Sequence, residues 1–218
     1  MATFDLVVFD LDGTLIDSKL DLAHSVNATR AHLGLGPLDH ELIYSYVGNG
    51  APVLIRRALG PEMPDSVVNE ALSWFLDYYR EHKLDHTHLY PGVTEALGTL
   101  SAAGTAMAVL TNKPVNVSRA IVEGLGVAEH FFQVYGGNSF EQKKPHPMGL
   151  DALRDEAGVA PERTLMVGDS GVDILTARNA GVRSVGCTWG FQPETLVTHP
   201  PDWLIESMNE LPSIVQQQ

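Results

Sequence analysis

Cysteine is almost absent from this chain of 218 residues, which contains a single one, Cys187. One thiol cannot form an intramolecular disulfide, and it cannot supply a cysteine-based zinc site. A chain of this length buries roughly 70% of its unfolded surface, so its core needs no such cross-link. We therefore expect a globular protein of a reducing compartment, the cytoplasm.

Basic residues are also few, because 14 Lys and Arg stand against 27 Asp and Glu, for a formal net charge of −13. Nucleic acids and anionic membranes bind basic faces, so neither is an expected partner. No apolar run approaches the roughly 20 residues that a membrane span requires. The apolar run from Leu6 to Phe9 is too short for the core of a signal peptide.

Short apolar runs alternate with helical patterns over most of the chain. Runs typical of buried strands lie at 4–9, 106–110, 164–167 and 184–187, with weaker ones at 131–135 and 203–205. Helical patterns separate them at about 92–103, 114–124, 145–158 and 171–180. Gly126, Gly158 and Gly181 stand where helix C-caps are expected. This alternation predicts an α/β fold, a Rossmann-like parallel sheet with helices on both faces.

The stretch from about Asp17 to Asp85 breaks this alternation. Its apolar residues recur at helical spacing, as in Leu72, Phe75, Leu76 and Tyr79. Glycine-containing turns divide it into about four helices. Because this block directly follows the first strand, we predict an inserted all-helical cap domain at 17–88 and a core made of 1–16 and 89–218. Two linkers suit a lid that opens and closes over a site.

Polar residues follow several of the predicted strands. They are Asp10, Asp12, Thr111, Asn112, Lys113, Asp169 and Asp173, with Lys144 ahead of the helix at 145–158. In an open parallel sheet, ligands bind beyond the carboxyl ends of the strands. Taken singly, each residue is explained as a helix cap or a solvated loop residue. Their joint placement at one edge of the sheet is hard to explain that way.

Four carboxylates gathered at one edge, at positions 10, 12, 169 and 173, repel one another unless a cation lies among them. Oxygen ligands without histidine or cysteine favour a hard ion, magnesium before zinc. Magnesium commonly binds through one or two carboxylates and a substrate phosphate. A lysine and a hydroxyl add the charge and donors that a phosphoryl group needs. This edge is therefore typical of phosphoryl transfer.

Four segments resemble, in family order, the four motifs of the haloacid dehalogenase superfamily. They are Asp10-Leu11-Asp12-Gly13-Thr14-Leu15, Leu110-Thr111-Asn112, Lys144-Pro145 and Gly168-Asp169-Ser170-Gly171-Val172-Asp173. The resemblance implies that Asp10 is the nucleophile and forms an aspartyl-phosphate. It also implies that Asp12 acts first as the general acid and then as the base that activates water.

The same resemblance implies a ligand for each remaining motif residue. Mg²⁺ would be bound by the Asp10 carboxylate, the Asp12 backbone carbonyl and the Asp169 carboxylate. Thr111 and the backbone of Asn112 would hold phosphoryl oxygens. Lys144 would neutralise Asp10 and the transferring group. Asp173 would support Lys144 or a metal-bound water.

The motifs also distinguish among branches of the family. Dehalogenases lack the second aspartate, and phosphonatases are expected to carry alanine there, so Asp12 disfavours both. β-Phosphoglucomutases typically carry glycine where this chain has Asp173. Hydrolysis of a phosphomonoester is the reaction that remains.

The inserted segment resembles that of bacterial phosphoglycolate phosphatases, in Asp17-Ser18-Lys19-Leu20-Asp21-Leu22 and in Val47-Gly48-Asn49-Gly50. The resemblance implies hydrolysis of 2-phosphoglycolate to glycolate and phosphate. Backbone donors at Gly48, Asn49 and Gly50 would then face a small anionic substrate. Arg56 or Arg57 would pair with a carboxylate, or would be an ordinary solvated helix residue.

Two alternatives remain open. Phosphatases for sugar phosphates or pyrophosphate share much of this pattern. A phospho-acceptor signalling module also uses a strand-end aspartate, a hydroxyl, a lysine and magnesium, but the spacing of Asp10 and Asp12 and the inserted segment count against it. The expected partner is a small phosphorylated metabolite, and the expected oligomeric state is a monomer or a homodimer.

Overall fold

The computed structural model describes residues 4–216. Its strands are β1 (Leu6–Phe9), β2 (Ile16–Asp17), β3 (His88–Leu89), β4 (Ala106–Leu110), β5 (Gln133–Tyr135), β6 (Thr164–Gly168), β7 (Arg183–Cys187) and β8 (Trp203–Ile205). Its α-helices are α1 (Lys19–His32), α2 (His40–Tyr44), α3 (Ala51–Leu59), α4 (Asp65–His82), α5 (Val93–Ala102), α6 (Val115–Gly124), α7 (Met148–Ala157), α8 (Gly171–Asn179), α9 (Thr195–Thr198) and α10 (Leu211–Val215).

Six strands form one parallel sheet in the order β5-β4-β1-β6-β7-β8, and β2 pairs with β3 in a separate two-stranded sheet. Strand β1 lies between β4 and β6, with Leu6 opposite Ala106 on one side and Thr164 on the other. Strands β4 and β5 lie on one side of β1, and strands β6 to β8 lie on the other side. The strand order therefore reverses at β1. Ligands of such sheets bind at this switch point, beyond the carboxyl ends of the strands.

Strand β1 is buried on both faces. Successive side chains point to opposite faces of a sheet, and all four residues of β1 are inaccessible to solvent. Leu6 and Val8 share a core cluster with Leu150 and Leu153 of α7 and Ala177 of α8. An unbroken apolar run is what a central parallel strand requires when helices cover both faces. The predicted α/β sheet with helices on both faces is confirmed.

The helices predicted between the strands are present, with bounds that differ by a few residues. The largest difference is at α7, which begins at Met148 although the pattern predicted a start near 145. Pro145 and Pro147 explain the delay, because a residue that precedes proline is disfavoured in helical conformation. At the other end of α7, Gly158 is the predicted C-cap and has a φ of 65°, a conformation that favours glycine.

The chain folds into two compact units. The sheet unit consists of the described residues up to Asp17 and from Leu89 onwards. The helical unit runs from Ser18 to His88 and contains α1 to α4. Among residues 4–216, no helix has the length and apolar character needed to cross a membrane.

In the helical unit, α1 packs against α2, α3 and α4, and α3 also packs against α4. The buried residues of α4 recur every three or four positions, at Val68, Ala71, Phe75 and Tyr79. Such spacing places them on one side of a helix. The sequence pattern also placed Leu72 and Leu76 on this face, but they are only half-buried, since the buried side is centred on Ala71 and Phe75.

A buried carboxylate ties the two ends of the helical unit together. Asp21, near the start of α1, is 1% exposed. Its Oδ2 accepts hydrogen bonds from the N–H groups of His86 (3.0 Å) and Thr87 (2.8 Å) and from the Thr87 hydroxyl (2.7 Å). A buried carboxylate needs such donors to offset its lost hydration. The segment that follows α4 is therefore held against α1.

Candidate active site

The candidate site lies at the carboxyl ends of β4, β1 and β6, three neighbouring strands of the sheet unit. Asp10 directly follows β1, and its N–H donates to Val167 O at 2.8 Å. Thr111 directly follows β4, and Asp169 directly follows β6. Because the three strands are parallel neighbours, their polar end residues meet at one edge. The strand order thus explains why residues so far apart in sequence are gathered here.

Three of the predicted carboxylates converge. Asp10, Asp169 and Asp173 each place a carboxylate oxygen within 4.8 Å of the others. Asp169 and Asp173 are buried, at 3% and 0% exposure, and Asp10 is partly buried. Like charges this close are unfavourable unless positive charge compensates them.

Lys144 supplies part of that positive charge. Its Nζ lies 2.8 Å from Asp10 Oδ1 and 2.7 Å from Asp173 Oδ1, and its side chain is 3% exposed. The Asn112 side-chain amide donates to Lys144 O at 3.1 Å and so fixes the lysine backbone. The strand-end carboxylates predict a cation among them, and a lysine of the chain itself is one such cation.

Asp173 belongs to both the cluster and the start of α8. Its Oδ2 accepts hydrogen bonds from the Ser170 N–H (3.1 Å) and the Ser170 hydroxyl (2.7 Å). Ser170 is the N-cap of α8 and forms a capping box with Asp173. A Cβ on Gly168 would collide with the Asp173 side chain, so glycine is needed at the end of β6. Asp173 is therefore held rigidly where it meets Lys144.

Asp169 is held by a loop that no sequence motif marks. Its Oδ2 accepts hydrogen bonds from the N–H groups of Phe191 (2.6 Å) and Gln192 (3.3 Å), which follow β7. Gly13 and Gly190 both pack so closely on Asp169 that a Cβ at either position would collide with its side chain. The sequence indicated this loop only by its position after a further strand of the same sheet, Arg183–Cys187.

Asp12 has its own partner, Lys113. The Lys113 ammonium donates to Asp12 Oδ1 at 2.9 Å and to Oδ2 at 3.0 Å. The side chains are 5% and 13% exposed. Lys113 is recognisable in the sequence as a strand-end residue, but no motif of the sequence gives it a role.

Burial and neighbouring like charges raise the pKa values of two carboxylates of the cluster, Asp10 and Asp169. Burial raises the pKa of Asp10 to about 6, with Asp173 and Asp12 adding to the shift and Lys144 opposing it. Burial also raises the pKa of Asp169, aided by Asp173 and Asp10. Burial disfavours the Lys144 ammonium, but the carboxylates of Asp10 and Asp173 outweigh this and raise its pKa. The cluster therefore favours further positive charge, as a proton or a cation.

The donor set fits a hard divalent cation. With three ionised carboxylates and one ammonium, Asp10, Asp169, Asp173 and Lys144 carry a net charge of −2. The oxygen atoms are close enough to contact a shared ion, and the group contains no histidine or cysteine. Among the residues that the structure describes, this is the one acidic or histidine group with metal-binding spacing.

Thr111 and Asn112 border the cluster on the β4 side. Both are buried, at 3% and 7% exposure. The Thr111 hydroxyl oxygen accepts a hydrogen bond from the Lys113 N–H at 3.2 Å. A hydroxyl accepts and donates at once, so its own proton remains the group that can bind an anionic oxygen.

The four predicted substrate residues of the helical unit are Gly48, Asn49, Gly50 and Arg56. Gly48 and Gly50 have positive φ values of 110° and 85°, and they form the turn that leads into α3 with Gly50 as its N-cap. Arg56 donates to Met63 O at 2.6 Å and forms an ion pair with Asp65. These contacts join α3 to the start of α4 and give Arg56 a structural role within the helical unit.

Known proteins resemble this chain over almost its whole length. Residues 7–187 match the family described as haloacid dehalogenase-like hydrolase. The chain is 42% identical over 217 residues to phosphoglycolate phosphatase of Vibrio parahaemolyticus and 40% identical over 219 residues to that of Vibrio vulnificus (strain CMCP6). Each alignment covers 96% of this chain and 95% of the relative.

A solved structure is also similar. It is the crystal structure of a predicted phosphoglycolate phosphatase from Haemophilus somnus 129PT, which superposes with a TM-score of 0.94 at 35% identity. The superposition covers 99% of this chain and 100% of that one.

Proposed function

Since this chain belongs to the haloacid dehalogenase-like hydrolase family, we propose that it is a magnesium-dependent phosphomonoester hydrolase in which Asp10 is the nucleophile. One observation carries the proposal: Asp10 Oδ1 lies 2.8 Å from Lys144 Nζ, in a cluster whose carboxylate oxygens lie within 4.8 Å of one another. A nucleophile placed beside fixed positive charge and a cation donor set is what phosphoryl transfer needs.

In the first half-reaction, an oxygen of Asp10 attacks phosphorus and the bond from phosphorus to the ester oxygen breaks. Asp12 transfers a proton to that oxygen, so the alcohol leaves in neutral form. Thr111 and the N–H of Asn112 donate to the phosphoryl oxygens, and the Lys144 ammonium offsets their charge. The product is an aspartyl-phosphate on Asp10.

In the second half-reaction, water attacks the same phosphorus. Asp12, now a carboxylate, accepts the proton of the water, and the bond between phosphorus and Asp10 breaks. Inorganic phosphate leaves and Asp10 is regenerated. Splitting the reaction in this way makes each displacement easier than direct hydrolysis.

Magnesium would be held by the carboxylates of Asp10 and Asp169 and by the backbone carbonyl of Asp12. When bound, it supplies positive charge to the oxygens of the transferring phosphoryl group. The amides of Phe191 and Gln192 hold Asp169, and Lys144 holds Asp10, so the donor oxygens are oriented in advance.

The proposed substrate is 2-phosphoglycolate, a small phosphorylated carboxylic acid. Relatives with 40% and 42% identity over nearly the whole chain are named phosphoglycolate phosphatase, which supports this choice. The helical unit is proposed as the cap, in which the turn at Gly48, Asn49 and Gly50 offers backbone donors to the substrate. The guanidinium of Arg56 contacts Met63 O and the Asp65 carboxylate within the helical unit.

The test is kcat/KM with magnesium for 2-phosphoglycolate, sugar phosphates and pyrophosphate. The variants are Asp10→Asn and a matched control, Asp155→Asn, at an exposed position of α7. We expect a preference for 2-phosphoglycolate, loss of at least about 10³-fold in Asp10→Asn, and unchanged turnover in the control.

The other possible outcomes would reject a specific part of the proposal. A preference for sugar phosphates or pyrophosphate would keep the chemistry and reject the substrate. A stable phosphorylated protein without turnover would indicate the signalling module. Turnover that survives in Asp10→Asn would reject the nucleophile.

A further inference from the structure

Lys113 forms an ion pair with Asp12 at the same edge of the sheet as Lys144. Both oxygens of Asp12 accept a hydrogen bond from the one Lys113 ammonium, at 2.9 and 3.0 Å. Lys144 contacts Asp10 and Asp173 instead. The two lysines of the site thus serve different carboxylates, and each is almost fully buried.

The backbone of Lys113 is anchored on both sides. Its N–H donates to Thr111 Oγ1 at 3.2 Å, and its carbonyl accepts from the Gly137 N–H at 2.9 Å. A Cβ on Gly136 would lie 2.5 Å from that carbonyl oxygen, so the chain can approach closely only with glycine there. The lysine side chain therefore extends from a fixed point toward Asp12.

The pair holds the Asp12 carboxylate in one orientation. Rotation of the carboxylate would break this ion pair, whose lysine side chain is 5% exposed. Breaking a buried ion pair is strongly unfavourable.

We propose that Lys113 is a positioning residue for Asp12, and that it orients the carboxylate to activate water in the second half-reaction. This inference rests on the proposed function above, since it assigns a helper to the base of that reaction. A base must be aimed at the proton that it accepts. The two hydrogen bonds from the Lys113 ammonium fix the direction of the Asp12 carboxylate.

The inference predicts which half-reaction slows when Lys113 is replaced. With p-nitrophenyl phosphate, the leaving group needs no proton, so formation of the aspartyl-phosphate does not depend on Asp12. Its hydrolysis does depend on Asp12. A Lys113→Met enzyme should therefore release one equivalent of p-nitrophenolate rapidly and then turn over slowly.

The experiment is stopped-flow kinetics with p-nitrophenyl phosphate and magnesium, together with acid-quench measurement of phosphate bound to the protein. For Lys113→Met we expect a burst near one equivalent, accumulated phosphoenzyme, and steady turnover reduced roughly 10- to 100-fold. Proton transfer by a positioned side chain contributes about 10²- to 10⁴-fold to a reaction rate, and the expected loss is a part of that contribution. Lys113→Arg, which keeps the charge and two parallel donors, should restore part of the turnover.

Lys83→Met is the matched control, because it removes the same charge from the helical unit, where Lys83 Nζ donates to Arg80 O. It should behave as wild type. If Lys113→Met does not fold, judged by its melting transition, Lys113→Gln replaces it with the same expectation.

Unchanged turnover, or a loss without phosphoenzyme, would overturn the positioning role. Failure of the proposed function looks different: wild type itself would then form no phosphoenzyme and release no phosphate.

Discussion

Lys144 and Asp173 form the most deeply buried ion pair of the site, with 2.7 Å between Lys144 Nζ and Asp173 Oδ1. The other oxygen of Asp173 accepts hydrogen bonds from Ser170 at the start of α8. One carboxylate thus caps a helix and holds a lysine. The position of that lysine beside Asp10 is consequently set by α8 as well as by its own loop.

Replacing this lysine should destabilise the fold. Lys144→Met leaves Asp10 and Asp173 buried together without their shared ammonium, and loss of one partner of a buried pair costs about 3–5 kcal/mol. The measurement is urea unfolding of the metal-free protein at pH 7, with Lys83→Met as the control. The loss should shrink toward pH 5, where Asp10, with its pKa raised to about 6, takes up a proton. A loss below about 1 kcal/mol at pH 7 would contradict the assigned pairing.

Crowding Asp169 should weaken metal binding. In Gly190→Ala, the added Cβ collides with the Asp169 side chain and turns its oxygens away from the cluster. We expect Mg²⁺ affinity, measured by isothermal titration calorimetry, to fall about 10- to 100-fold, as for other losses of ligand orientation. Gly98→Ala in α5 is the control, because a Cβ there meets no atom within 4 Å. Equal Mg²⁺ affinities of the two variants would show that this loop does not orient the ligand.

Metal binding should depend on pH through Asp10. Its pKa is raised to about 6 in the metal-free protein, so below pH 6 a cation must displace a proton. The apparent Mg²⁺ affinity should fall at least about tenfold per pH unit below pH 6, because Asp169, whose pKa is also raised, must give up its proton as well. Calorimetry from pH 5 to pH 8 measures this, and Asp10→Asn should show a flatter profile. An affinity that rises on acidification would contradict the prediction.

The raised pKa of Asp10 also makes the stability of the metal-free protein depend on pH. Because the folded-state pKa of Asp10 lies above the unfolded value, the folded state binds this proton more tightly. The contribution of Asp10 is therefore fully present below about pH 4 and is lost as the pH rises through 6. Saturating Mg²⁺ should remove this loss in urea unfolding, because the cation replaces the proton.

Patterns within short segments determined much of this protein in advance. The apolar run Leu6–Phe9 predicted a central strand, and the polar residues that follow it predicted one edge as the site. Asp10, Asp169 and Asp173 meet there because parallel strands end together. The four helices of the inserted segment could also be predicted from the sequence, because amphipathic spacing is a local property.

Only the tertiary structure decided which groups pair with one another. Lys113 and Asp12 are 101 residues apart, and nothing in either segment indicates that this lysine, and not Lys144, contacts that carboxylate. The amides of Phe191 and Gln192 that hold Asp169 are backbone groups, which every residue except proline carries. Residue types and their periodicity determine which elements form. Partners across the site depend on the order of the strands and the path of the loops, which arise only when the whole sheet is packed.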